Sequence, residues 1–254
     1  MISLINIKDS TGIRLVAIEN DTITQTIKSH KSWEGHLVNL YYRIIKKNDI
    51  VLDVGANIGY HTLHFARIVG DNGHVISFEP HKVLFNILSS NILINNLSNR
   101  VTQKNYGLSS TNSKMFFCDI EDVTYDTENL VNYGGLNLKN EKTNNLEVRV
   151  KTLDSLNFDT EINFVKVDIE GMELEFLKGS ISTLQLYTPT IFIEISKNKN
   201  KVIKILKDIG YVIYNVENHG NKNDYICVYP DNKDIVNLLK SNYIDKINLK
   251  IKEI

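Results

Sequence analysis

The stretch Ile50 to Pro80, IVLDVGANIGYHTLHFARIVGDNGHVISFEP, constrains this chain more than any other. Its apolar opening, Ile50-Val51-Leu52, is bounded by turn signals and reads as a buried strand. A glycine-bearing turn follows, Asp53-Val54-Gly55-Ala56-Asn57-Ile58-Gly59. Leu63, Phe65, Ala66 and Val69 then recur at helical spacing, and His74 to Phe78 reads as a second strand that closes on Glu79. A strand, a glycine turn, a helix and a strand ending in an acid make the first half of a nucleotide-binding α/β unit.

The turn also narrows the nucleotide. A dinucleotide site uses G-x-G-x-x-G because its middle glycine lets the backbone approach a pyrophosphate. Asn57 stands at that middle position. A side chain there argues against a pressed pyrophosphate and suits S-adenosylmethionine (SAM), whose ribose leads to an amino-acid tail. Glu79 lies 20 residues past Gly59 (79 − 59), where an ionised carboxylate can accept from both ribose hydroxyls. A generic turn with an acid that merely ends a strand is the competing reading, and the placement of the acid weighs against it. Asp53, Gly55, Ala56, Asn57, Gly59, Tyr60, Glu79 and Pro80 are therefore the expected cofactor-binding residues of this stretch.

Around it, weak alternation of Ile5, Ile7, Ile13, Leu15 and Ala17 predicts a hairpin, and Trp33, Leu37, Leu40, Tyr41, Ile44 and Ile45 predict a helix within Lys31–Lys46. Glu34, near the start of that helix, is either matched to the helix dipole or a ligand for the SAM amino group. Past Glu79 come a helix from His81 to Leu97 and a strand from Val101 to Tyr106. Asn105, Tyr106 and Gly107 at its end are candidates to contact the adenine, with edge packing the alternative. Met115-Phe116-Phe117 and Leu146–Val150 read as a hairpin flanking a polar stretch, Tyr133–Asn137, which is a candidate for part of the acceptor site or plain surface decoration. Ile162–Ile169 and Thr190–Ile195 are buried strands with a helix from Met172 to about Leu184 between them. A helix from Val202 to Ile209 precedes two last strands, Tyr211–Val216 and Tyr225–Tyr229, joined through His219-Gly220-Asn221, and one more helix lies past Pro230.

At 254 residues, with 42% hydrophobic and 23% charged residues, the chain is long enough for one sizeable α/β core. No composition shift or repeat divides it, so a single domain over 1–254 is expected, with an N-terminal hairpin and helix over 1–46 and an insertion over 109–149. The net charge of −1 supplies no bulk field for nucleic acid or an anionic membrane. Cys118 and Cys227 show no metal or disulfide spacing, and neither a signal peptide nor a membrane-length apolar run is visible. The expectation is a soluble cytoplasmic protein without nucleic-acid or membrane partners; homo-oligomerisation is left open.

Asp53, Glu79, Asp168, Glu170 and Glu194 all fall at predicted strand ends, where an open α/β sheet binds its ligands. Like charges at one rim repel, so a cationic sulfonium, a metal ion or an acid/base task would account for them. Asp53 has a structural alternative, bonding the amides of the glycine turn. Glu173 and Glu175 sit on a first helical turn, where acids are favoured. Methyl transfer is an in-line displacement, and an alcohol acceptor needs a base or a metal to give up its proton. Asp168 can serve either way. With Glu194 it is similar to the metal-binding arrangement of catechol O-methyltransferase, an analogy of fold alone, which would suit Mg²⁺, Mn²⁺ or Ca²⁺. His61 follows the glycine turn and His219 lies on the late hairpin; His30, His36, His64, His74 and His81 read as surface or packing residues. The candidate catalytic set is Asp168, Glu170, Glu194 and His61.

Three stretches taken together, VLDVGANIGYHT, FEPHKVLFNILSSNILIN and VKVDIEGMELEFLKGS, resemble the FkbM-type SAM-dependent methyltransferases over roughly Glu34 to Glu194. The resemblance implies a Rossmann-like, seven-stranded, mostly parallel sheet of the class I SAM-dependent methyltransferase type, with a β-hairpin insertion and a short N-terminal extension. It implies O-methylation of sugar hydroxyls in glycans and natural products, or of macrolide hydroxyls. It makes Gly55, Asn57, Gly59 and Glu79 cofactor contacts, places an acid near Glu34, and maps a D-x-E-G-x-E motif onto Asp168, Glu170, Gly171 and Glu173. Many members carry a histidine shortly after the acid of the fifth strand, where this chain reads Glu194-Ile195-Ser196. The leading expectation is methyl transfer to a sugar hydroxyl of a glycan or glycosylated metabolite; the alternatives are a non-catalytic SAM-binding module and a non-sugar acceptor. A base-modifying enzyme is disfavoured because Asp168-Ile169-Glu170-Gly171 lacks the Pro-Pro-aromatic segment that stacks on a flipped base.

Overall fold

The computed structural model describes residues 2–117, 138–139, 146–218, 221–241 and 249–254. The chain opens with an antiparallel hairpin, β1 (Leu4–Lys8) and β2 (Arg14–Ile18), in register from Leu4 opposite Ile18 to Lys8 opposite Arg14. Asp9 shapes its turn by accepting from the amides of Thr11 and Ile13 at 2.9 and 2.8 Å. Helix α1 (Thr22–His30) follows, its first turn capped by the Asp21 side chain. The sequence reading assigned no helix here, because TITQTIKSH buries only Ile23, Thr24 and Ile27 and shows little apolar stripe. Helix α2 (Gly35–Ile44) is shorter than the Lys31–Lys46 window. Lys31 and Glu34 both take left-handed backbone angles (φ 63° and 45°), which no helix continues through.

The central sheet then starts with β3 (Ile50–Val54), α3 (Tyr60–Val69), β4 (His74–Phe78), α4 (Lys82–Ile94) and β5 (Val101–Lys104). Next, β6 (Gly107–Leu108), β7 (Ser113–Phe117), β8 (Leu138–Lys139) and β9 (Leu146–Lys151) form a second sheet in the order β6-β9-β7-β8, in which β7 and β9 pair antiparallel. The chain returns to the central sheet with β10 (Phe164–Val167), α5 (Glu173–Lys178), α6 (Ile181–Tyr187) and β11 (Thr190–Glu194). It ends with α7 (Lys199–Asp208), β12 (Val212–Asn218), β13 (Asn221–Val228), α8 (Lys233–Leu239) and β14 (Lys250–Glu253). The expected single helix from Met172 is two, α5 and α6. They part at Gly179, where a Cβ would stand 2.1 Å from the Ser109 carbonyl oxygen.

The central sheet runs β14-β12-β13-β11-β10-β3-β4-β5. Its pairings from β11 through β10, β3 and β4 to β5 are parallel, while β11–β13, β13–β12 and β12–β14 are antiparallel. Among the described residues this is a mixed sheet of eight strands rather than the expected seven. The added strand, β14, reads KIKE and is largely exposed at the sheet edge, so it lacks the apolar alternation that marks a strand. The order places the site. Connections lead outward from β3 to β5, then cross back to β10 on the other side of β3, and the reversal opens a crevice between the carboxyl ends of β3 and β10.

Apolar side chains divide into two clusters across the sheet, with Phe164 of β10 in one and Val165 and Val167 in the other. Fully buried Tyr41 of α2 centres the first, its ring 5.1 Å from Phe65, 5.7 Å from Phe164 and 5.5 Å from Phe192 in edge-on contacts. Such pairs are each worth about 0.5–1.5 kcal/mol beyond the area they bury. They lock α2 and α3 to the sheet beneath the crevice. Among the described residues no helix is long and apolar enough to cross a membrane. Cys227 is fully buried, which pushes its thiol pKa up. Cys118, Tyr133–Asn137 and His219 lie outside the described residues.

Candidate functional site

A cavity of about 310 Å³ lies at the carboxyl ends of β3, β4, β10 and β11. Its β3–β4 side is made of backbone. Gly55 sits at φ 83°, and a Cβ there would be 1.9 Å from the Asp168 carbonyl oxygen, so only glycine lets the turn press against the end of β10. Gly55 N and Ala56 N both donate to the Phe78 carbonyl at 3.0 Å. Asn57 is left-handed (φ 51°), its side-chain oxygen accepting from Ile58 N at 2.7 Å. That conformation aims the Asn57 N–H at Glu79 Oε2 (2.8 Å), while His81 N donates to Glu79 Oε1 at 2.8 Å. Glu79 is buried; burial pushes its carboxyl up to about 7 against the pull of those two amides. Each oxygen has spent one of its two accepting positions.

The β10–β11 side is made of charge. Lys166 lies on an inward-facing position of β10 and is only 2% exposed. Its ammonium stands 3.0 Å from Asp168 Oδ2 and 3.9 Å from Asp53 Oδ1. Burial alone would lower its pKa; Asp168, Asp53 and Glu34 around it raise it instead. Asp53, fully buried, accepts from Thr62 Oγ1 at 2.5 Å and is a counter-ion inside the core, so it neither bonds the turn amides nor lines the cavity. Glu170 is left-handed (φ 46°), a strained conformation for a residue with a side chain. Burial, then Asp168 and Glu173, push its carboxyl up to about 7. Glu194 is pushed up to about 8 by burial, then by Asp168 and Asp224.

Glu34, strained likewise, reaches the cavity from the bend before α2, with Oε2 2.9 Å from His61 Nε2. Burial works to raise its pKa, but the His61 contact together with Lys166 and His36 nearby outweighs this and the net shift is downward. The His61 ring is itself enclosed by Tyr41, Tyr60 and Phe65. Glu173 is 1% exposed, not a solvated first-turn acid. Its Oε1 accepts from Gly171 N at 2.6 Å and Ser196 Oγ at 3.2 Å, pinning the Glu170-Gly171 turn to the end of β11. Glu175, by contrast, takes bonds from Ser110 and Lys178 at the surface.

Of the expected site residues, Glu34, Gly55, Ala56, Asn57, Tyr60, His61, Glu79, Pro80, Gly107, Asp168, Glu170 and Glu194 share the cavity wall. Gly59 stands behind it at φ 91°, where a Cβ would meet Leu88 at 2.5 Å. Asn105 and Tyr106 do not line it: Asn105 Nδ2 donates to the Glu79 carbonyl at 2.9 Å, and the Tyr106 ring packs 5.8 Å from Phe78 with Lys151 above it. Thr22, Ile23, Trp33 and Lys166 line it without having been singled out. For Lys166 a signal existed, a lysine at an inward position of INFVKVDI. Asp168 and Glu194, the residues named for a divalent cation should one bind, both line the cavity. The Lys166 ammonium holds Asp168 Oδ2, and among the described residues no group of three or more His, Cys, Asp or Glu is arranged to hold a metal ion.

The chain is similar to known proteins. The model of the methyltransferase FkbM domain matches residues 53–242. The hexuronic acid methyltransferase AglP of Haloferax volcanii is 31% identical over 157 residues, which make 60% of this chain and 58% of that protein. The methyltransferase sdnD of Sordaria araneosa is 27% identical over 160 residues, 53% of this chain and 61% of that one. The matched region thus spans about three fifths of each of these relatives. The crystal structure of an FkbM methyltransferase from Methylobacillus flagellatus superposes with a TM-score of 0.50 at 18% identity, covering 81% of this chain and 54% of that one, a likeness of fold. With a family match over most of its length, carrying the glycine turn, the acid of β4 and the Asp168–Glu173 segment, this chain belongs to the FkbM methyltransferase family.

Proposed function

We propose that the protein is a SAM-dependent O-methyltransferase, acting on a hydroxyl of a sugar in a glycan or glycosylated metabolite, with residues 1–254 working as one domain. The observation that carries this reading is Glu79, its two oxygens fixed by backbone amides at the tip of β4 and facing the cavity beside the glycine turn. A cofactor that presents a diol and a cationic tail fits these residues. Glu79 accepts from the ribose hydroxyls, Gly55 lets the turn beside it pack against the end of β10, and the Glu34 carboxylate takes the amino group. The bound cofactor supplies an electrophilic methyl on a sulfonium sulfur.

The remaining groups serve the acceptor. Asp168, steadied by Lys166, accepts a hydrogen bond from the acceptor hydroxyl and aligns it. Glu194, whose carboxyl is pushed up to about 8, is matched to receive the hydroxyl proton near neutral pH as the carbon–oxygen bond forms. Glu170, on the same wall, favours the cationic methyl donor over its neutral product. A sugar is favoured as acceptor class because the relative AglP is named for a hexuronic acid. Calorimetry with S-adenosylhomocysteine (SAH) tests the cofactor assignment: binding at micromolar concentration is expected, and no heat would remove it. Replacing Asp168 by Ala is expected to abolish turnover while SAH still binds.

A further inference from the structure

Part of the cavity wall comes from a segment that the family match leaves out. Thr22, Ile23, Trp33 and Glu34 line the cavity, whereas the match begins at residue 53. Trp33 is the chain's single tryptophan. Its helical spacing with Leu37, Leu40 and Ile44 assigns it to a buried stripe. In the structure it stands instead in the bend between α1 and α2, partly buried against the core, with left-handed Glu34 beside it.

The bend is anchored to α3 at two consecutive residues. Trp33 N–H donates to the Tyr60 hydroxyl oxygen at 3.3 Å, and that hydroxyl donates onward to Asp9 Oδ2 at 3.2 Å. Asp9 is held in turn by the hairpin amides of Thr11 and Ile13. Glu34 is held by His61 at 2.9 Å. These bonds fix the main chain that carries the indole, and an indole, with two rotatable bonds, presents a large flat apolar surface at little entropic cost on binding. The same cavity carries the carboxylates of Asp168, Glu170 and Glu194, which accept hydrogen bonds. An apolar plate together with a set of acceptors is complementary to a ring that has C–H bonds on one face and hydroxyls around its rim.

We propose that Trp33 is the acceptor platform of this enzyme, a specificity-determining residue that takes the C–H face of a pyranose ring. The proposal rests on the methyl-transfer reading above and assigns the acceptor half of the site to the N-terminal segment. Because the chain has one tryptophan, its emission reports this position alone. Calorimetry first establishes that SAH binds. The SAH complex is then titrated with methyl glucoside, methyl galactoside, methyl mannoside and methyl glucuronide while tryptophan emission is followed. A saturable change with at least one glycoside is expected, and no change with any of them up to the solubility limit overturns the proposal.

The variants Trp33→Ala and Trp33→Phe are then compared on the glycoside that binds. For W33A, KM for the acceptor is expected to rise about tenfold or more with kcat changed less than about threefold, and W33F is expected to recover most of the loss. SAH affinity should stay within about threefold in both. An equal loss of SAH affinity would assign Trp33 to the donor half and overturn the proposal. A lowered melting temperature with unchanged acceptor KM would reduce Trp33 to packing and overturn it as well. Should W33A fail to fold, emission of the unaltered protein and the W33F kinetics still decide. Absence of SAH binding at the first step sinks the methyl-transfer reading itself, and this proposal with it.

Discussion

The two walls of the cavity are held by different kinds of force. On the β3–β4 side, the turn Gly55–Gly59 and Glu79 are fixed by backbone amides and by glycines that no side chain can replace. On the β10–β11 side, Asp168 is held by one buried ammonium, and burial with neighbouring acids pushes the carboxyls of Glu170 and Glu194 up. The first wall is a matter of local chain geometry. The second is a balance of charges brought from distant parts of the chain, so it is tunable and easily upset. A site that must hold a constant donor and adapt to a particular acceptor profits from having both.

The contrast breaks first at Gly55. In Gly55→Ala the new Cβ meets the Asp168 carbonyl at 1.9 Å and the left-handed φ is strained besides, so a loss of at least about 3 kcal/mol is expected in urea unfolding, with SAH binding abolished. A folded G55A that binds SAH normally would refute the backbone account. Next is Lys166→Met, which leaves buried Asp53 and partly exposed Asp168 without their counter-charge. A loss of about 3–5 kcal/mol is expected, with partial recovery when Asp53→Asn is added, and equal stability of single and double variants would count against the charge account. Glu79→Gln replaces an acceptor-only group by one that is half donor. SAH affinity should fall about tenfold to a hundredfold in calorimetry with little change in melting temperature.

The smallest effect is on pH dependence. Burial, then Asp168, raise the Glu194 carboxyl from 4.5 to about 8 in the folded state. Between those values the folded protein holds a proton that the unfolded chain has released, so this group makes stability fall as pH rises across the window. Urea midpoints of the cofactor-free protein should therefore decline from pH 5 to pH 8, and Glu194→Gln should flatten the slope. An unchanged slope would show that the β10–β11 acids are not coupled in this way.

How much of this could be read from the chain depended on which wall a residue belongs to. Gly55, Asn57, Gly59 and Glu79 were legible because the turn, the helix after it and the acid at the end of the next strand lie within one short stretch, and each residue type answers a local demand. Asp168, Glu170 and Glu194 were legible as strand-end acids, yet their roles were not. That Asp168 pairs with Lys166 depends on which face of β10 turns inward. Glu173 illustrates the same limit. Its place on a first helical turn accounts for an acid there, but only the fold shows that it is buried and accepts from Gly171 N and Ser196 Oγ. Asn105 and Tyr106 occupy the right strand end and still miss the cavity wall, since their side chains are taken up by the Glu79 carbonyl and the Phe78 ring.

By itself the amino-acid order determined the βαβ unit, the glycine turn and the family, all of which follow from hydrophobic period and from backbone angles that few residue types permit. Tertiary structure alone decided that Trp33 lines the cavity, that Lys166 neutralises Asp53 and Asp168, and that β14 makes the central sheet, among the described residues, eight strands wide. The reason is one of range. Steric limits on a backbone act between neighbours in the chain, whereas burial and Coulomb attraction act between whatever groups the fold sets side by side.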